Sequence, residues 1–331
     1  MMKFTIHIVF VISIGFVFVD AQAQQVFQFS QYQQNLYILN SASAGEHDYL
    51  EANVSFRKQW VGIENSPTTS YISANMPIGK RLRVNPRQSS SRISTPNTYN
   101  EIKRSAFHAV GIFVAQDSYG PYAINMVSGS YAYHLPIAEE LTLSFSPNVS
   151  YNSMAFDPSK AQVENPNDQT YTNYLSIAGQ SSQLDINVAF WLYHSRFFAG
   201  YSTDQLIQDR LNLTNQETLE EIKVHHSFIG GYKFILNRNF ILTPSTMVRV
   251  VGQAPISADL NVRLDYQDTF WTGITYRSSK TISGMLGIYL NNTFRLGYSF
   301  DFALSALQTQ NAGSHEVMLG INLFNKEKAV F

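Results

Sequence analysis

Chemistry in a protein needs side chains that titrate, ligate or attack, held within reach of one another. The candidates here are few. The chain has no cysteine, which excludes disulfide scaffolds, thiolate metal sites, iron–sulfur clusters and a lipid anchor on Cys. Beyond residue 23 the histidines are His47, His108, His134, His194, His225, His226 and His315. None has HExxH spacing, and His225 and His226, as neighbours in a strand, point to opposite faces. Ser314-His315-Glu316 has the residue types of a hydrolytic triad, but adjacent residues of a strand cannot converge. No G-x-S-x-G elbow, phosphate loop or G-x-G-x-x-G occurs. The residues therefore predict no catalytic, cofactor-binding or metal site. With 23 basic and 24 acidic residues the net charge is -1, so nothing in the charge balance points to nucleic acid.

The elements that would position any site come from composition and periodicity. Of 331 residues, 44% are hydrophobic, 14% aromatic and only 14% charged, against about a quarter charged in a soluble domain. Low charge would suit membrane helices, but a mean hydropathy of -0.14 is too polar for a helical bundle. The 23 Phe, 19 Tyr and 3 Trp also exclude disorder. A large, aromatic-rich, nearly neutral β protein remains.

Residues 1–23 read as a secretory signal, with Lys3 as the positive end, an apolar run from Phe4 to Val19, and Ala21-Gln22-Ala23 as the cleavage site. Period two dominates the rest. Leu50, Ala52, Val54 and Phe56 alternate with Glu51, Asn53, Ser55 and Arg57, and residues 141–152 alternate without a break. Fourteen such runs are predicted near 49–61, 68–78, 105–118, 122–137, 140–153, 183–195, 196–206, 225–236, 239–252, 259–268, 269–280, 281–291, 293–305 and 314–324. Many are long enough for the roughly 9–11 residues that cross a bilayer, and the even count suits a closed outer-membrane barrel. The fold expected is all-β: a transmembrane antiparallel barrel of about 14 strands, divided into signal 1–23, an N-terminal periplasmic or lumenal segment 24–48, and barrel 49–331. Connection lengths sort by parity: 138–139, 195–196, 237–238, 268–269 and 291–292 are tight, whereas 154–182, 207–224 and 306–313 are long. Tight periplasmic turns and long outer loops have that pattern.

The lumen of so wide a barrel must hold water, a plug or a partner, and the polar, Gln-rich stretch 24–48 is the internal candidate. Tyr71, Tyr122, Tyr131, Tyr133, Trp191, Tyr193 and Trp271 are expected as lipid-facing rings or interfacial girdles. One connection breaks the length rule. Residues 79–104 carry Lys80, Arg81, Arg83, Arg87, Arg92, Lys103 and Arg104 against Glu101 alone, seven cations less one anion or +6. It is either a solvated loop or a contact for an acidic periplasmic partner or lipid headgroups.

Several stretches resemble one family. Gln28-Phe29-Ser30-Gln31-Tyr32, then Asn35, Asn40 and Ala44-Gly45, open the match. Arg57-Lys58-Gln59-Trp60-Val61-Gly62 and Ser66-Pro67-Thr68-Thr69 are its most specific motif, and Asp117-Ser118-Tyr119-Gly120-Pro121 follows. Phe270-Trp271-Thr272-Gly273, Gly297-Tyr298-Ser299-Phe300-Asp301 and Gly313-Ser314-His315-Glu316 close it. Together they resemble the PorP/SprF family, membrane proteins of the type IX secretion system in Bacteroidota. The resemblance implies an outer-membrane barrel without known catalysis that works with periplasmic ring and motor components of the secretion and gliding machinery. It also implies a secreted, adhesin-like client with a C-terminal sorting domain. The expected function is therefore a non-catalytic accessory barrel that binds, exports or anchors such a client. A channel for small solutes is the alternative. Client docking is expected on loops 62–67, 154–182, 207–224 and 306–313, with Trp60 and Gly62 at the first of them. Motor-side contact is expected on 24–48 and on the basic residues of 79–104. That connection looks longer than the family usually has.

Overall fold

The computed structural model describes residues 27–79, 105–161, 172, 180–207, 223–267, 269–305 and 309–325. The signal segment and the basic side chains Lys80, Arg81, Arg83, Arg87, Arg92, Lys103 and Arg104 lie outside the described residues. Fourteen antiparallel strands run in chain order: β1 Leu50–Lys58, β2 Thr68–Ile78, β3 Phe107–Tyr119, β4 Tyr122–Pro136, β5 Thr142–Phe156, β6 Gln180–Tyr193 and β7 Phe197–Asp204. Next come β8 His225–Tyr232, continued by Phe234–Ile235, then β9 Phe240–Val251, β10 Ser257–Tyr266, β11 Phe270–Arg277, β12 Thr281–Tyr289, β13 Phe294–Ala303 and β14 Ser314–Leu323. Each pairs with its sequence neighbours. β1 pairs with β14 from Leu50↔Leu323 to Lys58↔His315, which closes the ring. The fourteen strands lie where the alternation predicts them, with ends shifted by a few residues.

Proline accounts for the one interrupted strand. The break in β8 after Tyr232 falls opposite Pro244 of β9, which has no N–H to give to the ladder. Pro147 of β5 interrupts the β4–β5 ladder in the same way, between Ser130↔Asn148 and Tyr133↔Phe145. Closure satisfies the backbone from strand to strand, which is what allows a chain to cross hydrocarbon.

The two faces are inverted relative to a water-soluble protein. Val54, Phe56, Ile72, Ile112, Leu260, Ile274 and Leu286 are exposed, whereas Asn53, Ser55, Arg57, Ser73, Ser130, Ser144 and Asp259 are buried. The apolar face points outward to lipid and the polar face into the lumen. Near the ends of β9, β10 and β11, Phe240, Tyr266 and Phe270 form an outer row with ring centroids 4.9 and 5.0 Å apart. That is an interfacial girdle in form.

The aromatic expectation is corrected in part. Tyr131 and Tyr133 do face out, but Tyr71, Trp191 and Trp271 are buried inside the barrel, at 2%, 0% and 0% exposure. Strand parity decides it. Trp191 shares its face with Asp185 and Asn187, and Trp271 shares its face with Thr275 and Arg277. Below, the end where β1 begins is called lower; the tight hairpins 137–141, 194–196, 236–239 and 290–293 lie there. The strand ends that flank residues 157–179, 205–224 and 304–313 are at the upper end.

Ile72 lies near the middle of β2 and is 58% exposed. Replacing it with arginine should cost about 2–4 kcal/mol of stability, the penalty for a cation at the bilayer midplane. Urea unfolding in lipid vesicles measures it.

Candidate functional site

The lumen is occupied by the chain's own N-terminal segment. Residues 28–46 enter beside the upper ends of the strands and descend to the lower end before turning into β1. Three short 3-10 turns, Tyr32–Gln34, Leu36–Ile38 and Ser41–Ser43, shape the segment. The Asn40 side chain caps the last of these by accepting from Ala42 N at 3.1 Å. Such turns keep the chain compact while leaving most backbone groups to find partners on the wall.

At the upper end the segment is locked by buried charge. The Arg57 guanidinium of β1 lies 2.7 Å from Asp301 of β13 and 3.3 Å from Glu316 of β14, all three nearly excluded from solvent. Ser30 sits inside this cluster. Its N–H donates to Glu316 Oε2 at 2.7 Å, its hydroxyl donates to Asp301 Oδ2 at 2.7 Å, and Arg57 donates to the same hydroxyl. Charge-assisted bonds of this kind are roughly twice as strong as neutral ones. Phe29 adds an apolar anchor, packed edge-on against Tyr71 with ring centroids 4.8 Å apart.

Midway, Asn35 Nδ2 donates to Ser73 Oγ at 2.8 Å and Gln31 Nε2 to the Glu316 carbonyl at 3.1 Å. Arg295, paired with Glu51, donates to Gln34 O at 2.8 Å. The Gln34 amide, turned to suit its neighbours, places its oxygen 2.9 Å from Trp271 Nε1 and 3.1 Å from Arg263. Tyr37 shares a 2.9 Å hydrogen bond with Ser130 Oγ. Its ring covers Gly111 of β3, where any Cβ would collide with it.

At the lower end, Asn40 Nδ2 donates to the carbonyls of Phe190 and Tyr201, at 3.0 and 3.1 Å, and Ser202 Oγ donates to Leu39 O at 2.8 Å. His134 Nε2 lies 2.7 Å from Ala44 O, and Gly45 N donates to Asn75 Oδ1 at 2.9 Å. Trp191 Nε1 donates to Glu46 Oε2 at 2.9 Å. Residues 29–35, 37 and 40–45 are buried, so the part of 24–48 that faces outward at the lower end is Glu46 to Asp48, with His47 exposed.

The most specific sequence motif has a physical account. Lys58 Nζ donates to Ser66 O and to Thr68 Oγ1, both at 2.9 Å, while Thr69 Oγ1 donates to Asp117 at 2.6 Å. Between them the turn at 59–67 is stitched to its neighbours: Trp60 N donates to Ser314 Oγ at 3.1 Å, Val61 N to Gly313 O at 2.9 Å, and Gly120 N to Asn65 O at 3.0 Å. Trp60 has φ +46° and Gly62 has φ +102°, with open space around Gly62. Trp60 and Gly62 thus sit together on the upper rim, part-exposed and exposed. Ser314-His315-Glu316 splits across the wall. Glu316 and Ser314 are lumenal, whereas His315 is on the outer face, hydrogen-bonded to the Tyr298 hydroxyl at 2.6 Å. Among the described residues no cluster of His, Asp and Glu has the form of a metal site.

Sequence reading missed Ser30, Arg57, Asp301 and Glu316 as one site. The available signal was parity: each charged member falls on the lumenal face of a strand that is otherwise small and polar there. Arg263, Arg295 and Glu51 carry the same signal.

An antiparallel barrel closed on itself, apolar outside and polar within, is a transmembrane barrel of the outer-membrane class. Its overall shape is similar to the toluene transporter TbuX of Ralstonia pickettii, with a TM-score of 0.49, 8% identity, and 86% of this chain and 92% of that one covered. It is also similar to the outer membrane protein Omp33 of Acinetobacter baumannii, with a TM-score of 0.45, 8% identity, and 83% and 98% covered. At such identities these are likenesses of fold alone. No curated protein matches it in sequence. The chain belongs to the PorP/SprF family of type IX secretion system membrane proteins, whose family model matches residues 21–321. The barrel is therefore a secretion-associated outer-membrane protein.

Arg57→Met should cost about 3–5 kcal/mol, because it leaves the Asp301 and Glu316 carboxylates buried without their cation. Adding Asp301→Asn and Glu316→Gln to the same variant should recover most of that loss. Urea unfolding of the three proteins in lipid vesicles checks both.

Proposed function

We propose that this protein is a non-catalytic accessory barrel that binds, exports or anchors a secreted client carrying a C-terminal sorting domain. The observation that carries the reading is the occupied lumen. A conduit for small solutes gains nothing from a segment hydrogen-bonded to β2, β4, β6, β7, β13 and β14. A docking platform gains a rigid wall. The upper end, with the Trp60 to Gly62 turn and the long connections, faces the cell exterior in this reading and receives the client. The lower end faces the periplasm. There the flanks of the basic connection, Gly79 and Ser105, close β2 and lead into β3. Lys80, Arg81, Arg83, Arg87, Arg92, Lys103 and Arg104 offer acidic ring or motor components, or anionic headgroups, a cationic surface.

A mild-detergent pull-down of the tagged protein from its native outer membrane, read by mass spectrometry, tests this. A large secreted protein with a C-terminal sorting domain should come along, and replacing the seven basic residues with serine should release periplasmic components while leaving the client. In planar bilayers the intact barrel should pass little current, and deleting residues 28–46 should raise it. A lone barrel with the steady conductance of an open pore would make the solute channel the better reading.

A further inference from the structure

On the outward face, the upper edge of the wall is polar along the arc from β14 to β3. Thr68 of β2, Lys58 of β1 and His315 of β14 stand side by side, because Lys58 pairs with both of the others. Lys58 shares its parity with Val54 and Phe56, Thr68 with Ile72, and His315 with Val317 and Leu319, so all three leave the wall on the lipid side. Ser118 of β3 extends the row beyond Thr68, and Ser70 with Gln116 forms a second polar step just below. None of these six residues is buried. The arc ends at β13, where the outward residues are Phe300, paired with His315, and Phe302. Counted from the lower strand ends, Lys58 and His315 are each the ninth residue and Thr68 the eleventh. A strand that crosses hydrocarbon takes about 9–11 residues, so the arc lies where acyl chains give way to headgroups.

The donors in this arc are held in place. A lysine at such a depth ordinarily swings freely toward water. Lys58 Nζ instead donates to Ser66 O and Thr68 Oγ1, both at 2.9 Å. An ammonium carries three protons, so one is left to give. His315 is fixed twice, by Nδ1 at 2.6 Å from the Tyr298 hydroxyl and by its ring 5.1 Å from that of Phe300. Its Nε2 is the atom left over. Directly paired residues have Cβ atoms about 4.5–5.5 Å apart, close enough for one tetrahedral oxyanion to touch both side chains. Among the described residues no carboxylate pairs with Lys58 or His315, whereas Arg57, one position back on the inner face, has two. A fixed ammonium without a counter-charge, at headgroup depth, is complementary to an anion.

We infer that Lys58 and His315 form a site for the phosphate of an outer-leaflet lipid headgroup. Ser70, Gln116 and Ser118 line the wall beside it with hydroxyl and amide groups for the neutral part of the headgroup. The inference rests on the orientation proposed above, with the upper end toward the cell exterior.

The test uses the purified full-length protein, delipidated in detergent and titrated with dioleoyl phosphatidic acid or with diacylglycerol of the same chains. Bound lipid is counted by native mass spectrometry. Phosphatidic acid should bind about tenfold or more tightly, the worth of a charge-assisted contact. Lys58→Gln with His315→Gln, confirmed as folded by heat-modifiable mobility, should remove that preference. Lys280→Gln changes an exposed cation in the β11–β12 turn at the same end, and it should leave the preference intact. Equal binding of the two lipids, a preference that survives the double variant, or one that Lys280→Gln abolishes as well overturns the inference. Full displacement of the lipid by inorganic phosphate at equal concentration also overturns it, and makes the site one for the free ion. Orientation is tested apart. The chain has no cysteine, so Glu64→Cys, in the exposed turn after β1, should be labelled on whole cells by a membrane-impermeant maleimide. Labelling without a lipid preference sinks the site and leaves the orientation standing. A lipid preference without labelling overturns the orientation, and with it the outer leaflet as the source.

Discussion

A polar wall that faces inward must find partners, and everything else in this molecule follows from that demand. Lipid outside forces apolar side chains outward, and strict alternation then forces the polar ones in. Fourteen strands leave a lumen wider than such side chains can span, because eight already suffice to fill a barrel with them. Unmet amides, hydroxyls and charges would face water or one another. The segment at 28–46 meets many of them, and it does so with residues chosen for bonding: Ser30, Gln31, Gln34, Asn35 and Asn40 each bond the wall through side chain or backbone.

The charges show how the demand is met at the greatest electrostatic stakes. Arg57, Asp301 and Glu316 come from three neighbouring strands, and removing the arginine leaves two carboxylates buried without their cation. Arg295 with Glu51, and Arg277 with Asp259 at 3.3 Å, repeat the device around the ring. Each guanidinium keeps donors to spare beyond its carboxylate partner. Arg57 spends them on Ser30, and Arg295 on the Gln34 carbonyl. Ion pairs that could have sealed wall to wall thus also hold the segment inside.

Much of the architecture was legible because its signal is local. Alternation over 141–152 or 294–302 needs only the residues themselves, and the fourteen strands stand where it put them. Parity was harder wherever large residues ran together. Ala189-Phe190-Trp191-Leu192-Tyr193 has no polar residue to mark the inner face, and the rings there were assigned to lipid although Trp191 is lumenal. The site was less legible for a different reason. Two of the three partners of Ser30, Asp301 and Glu316, lie more than 270 positions away, and no spacing rule reaches across such distances.

The lock at the upper end also has a consequence in time. Ser30 N donates to Glu316 across 286 positions of sequence, and β1 completes the ring with β14. A chain emerges from its N-terminus, so Ser30 meets Glu316 only when β14, 286 positions later, has been made. Contacts of such separation are slow to form and bring their stabilisation late. Until then the first segment must be kept from aggregating and from pairing elsewhere. A nascent copy must accordingly carry this polar segment without its Glu316 bond for nearly the whole span of its own synthesis.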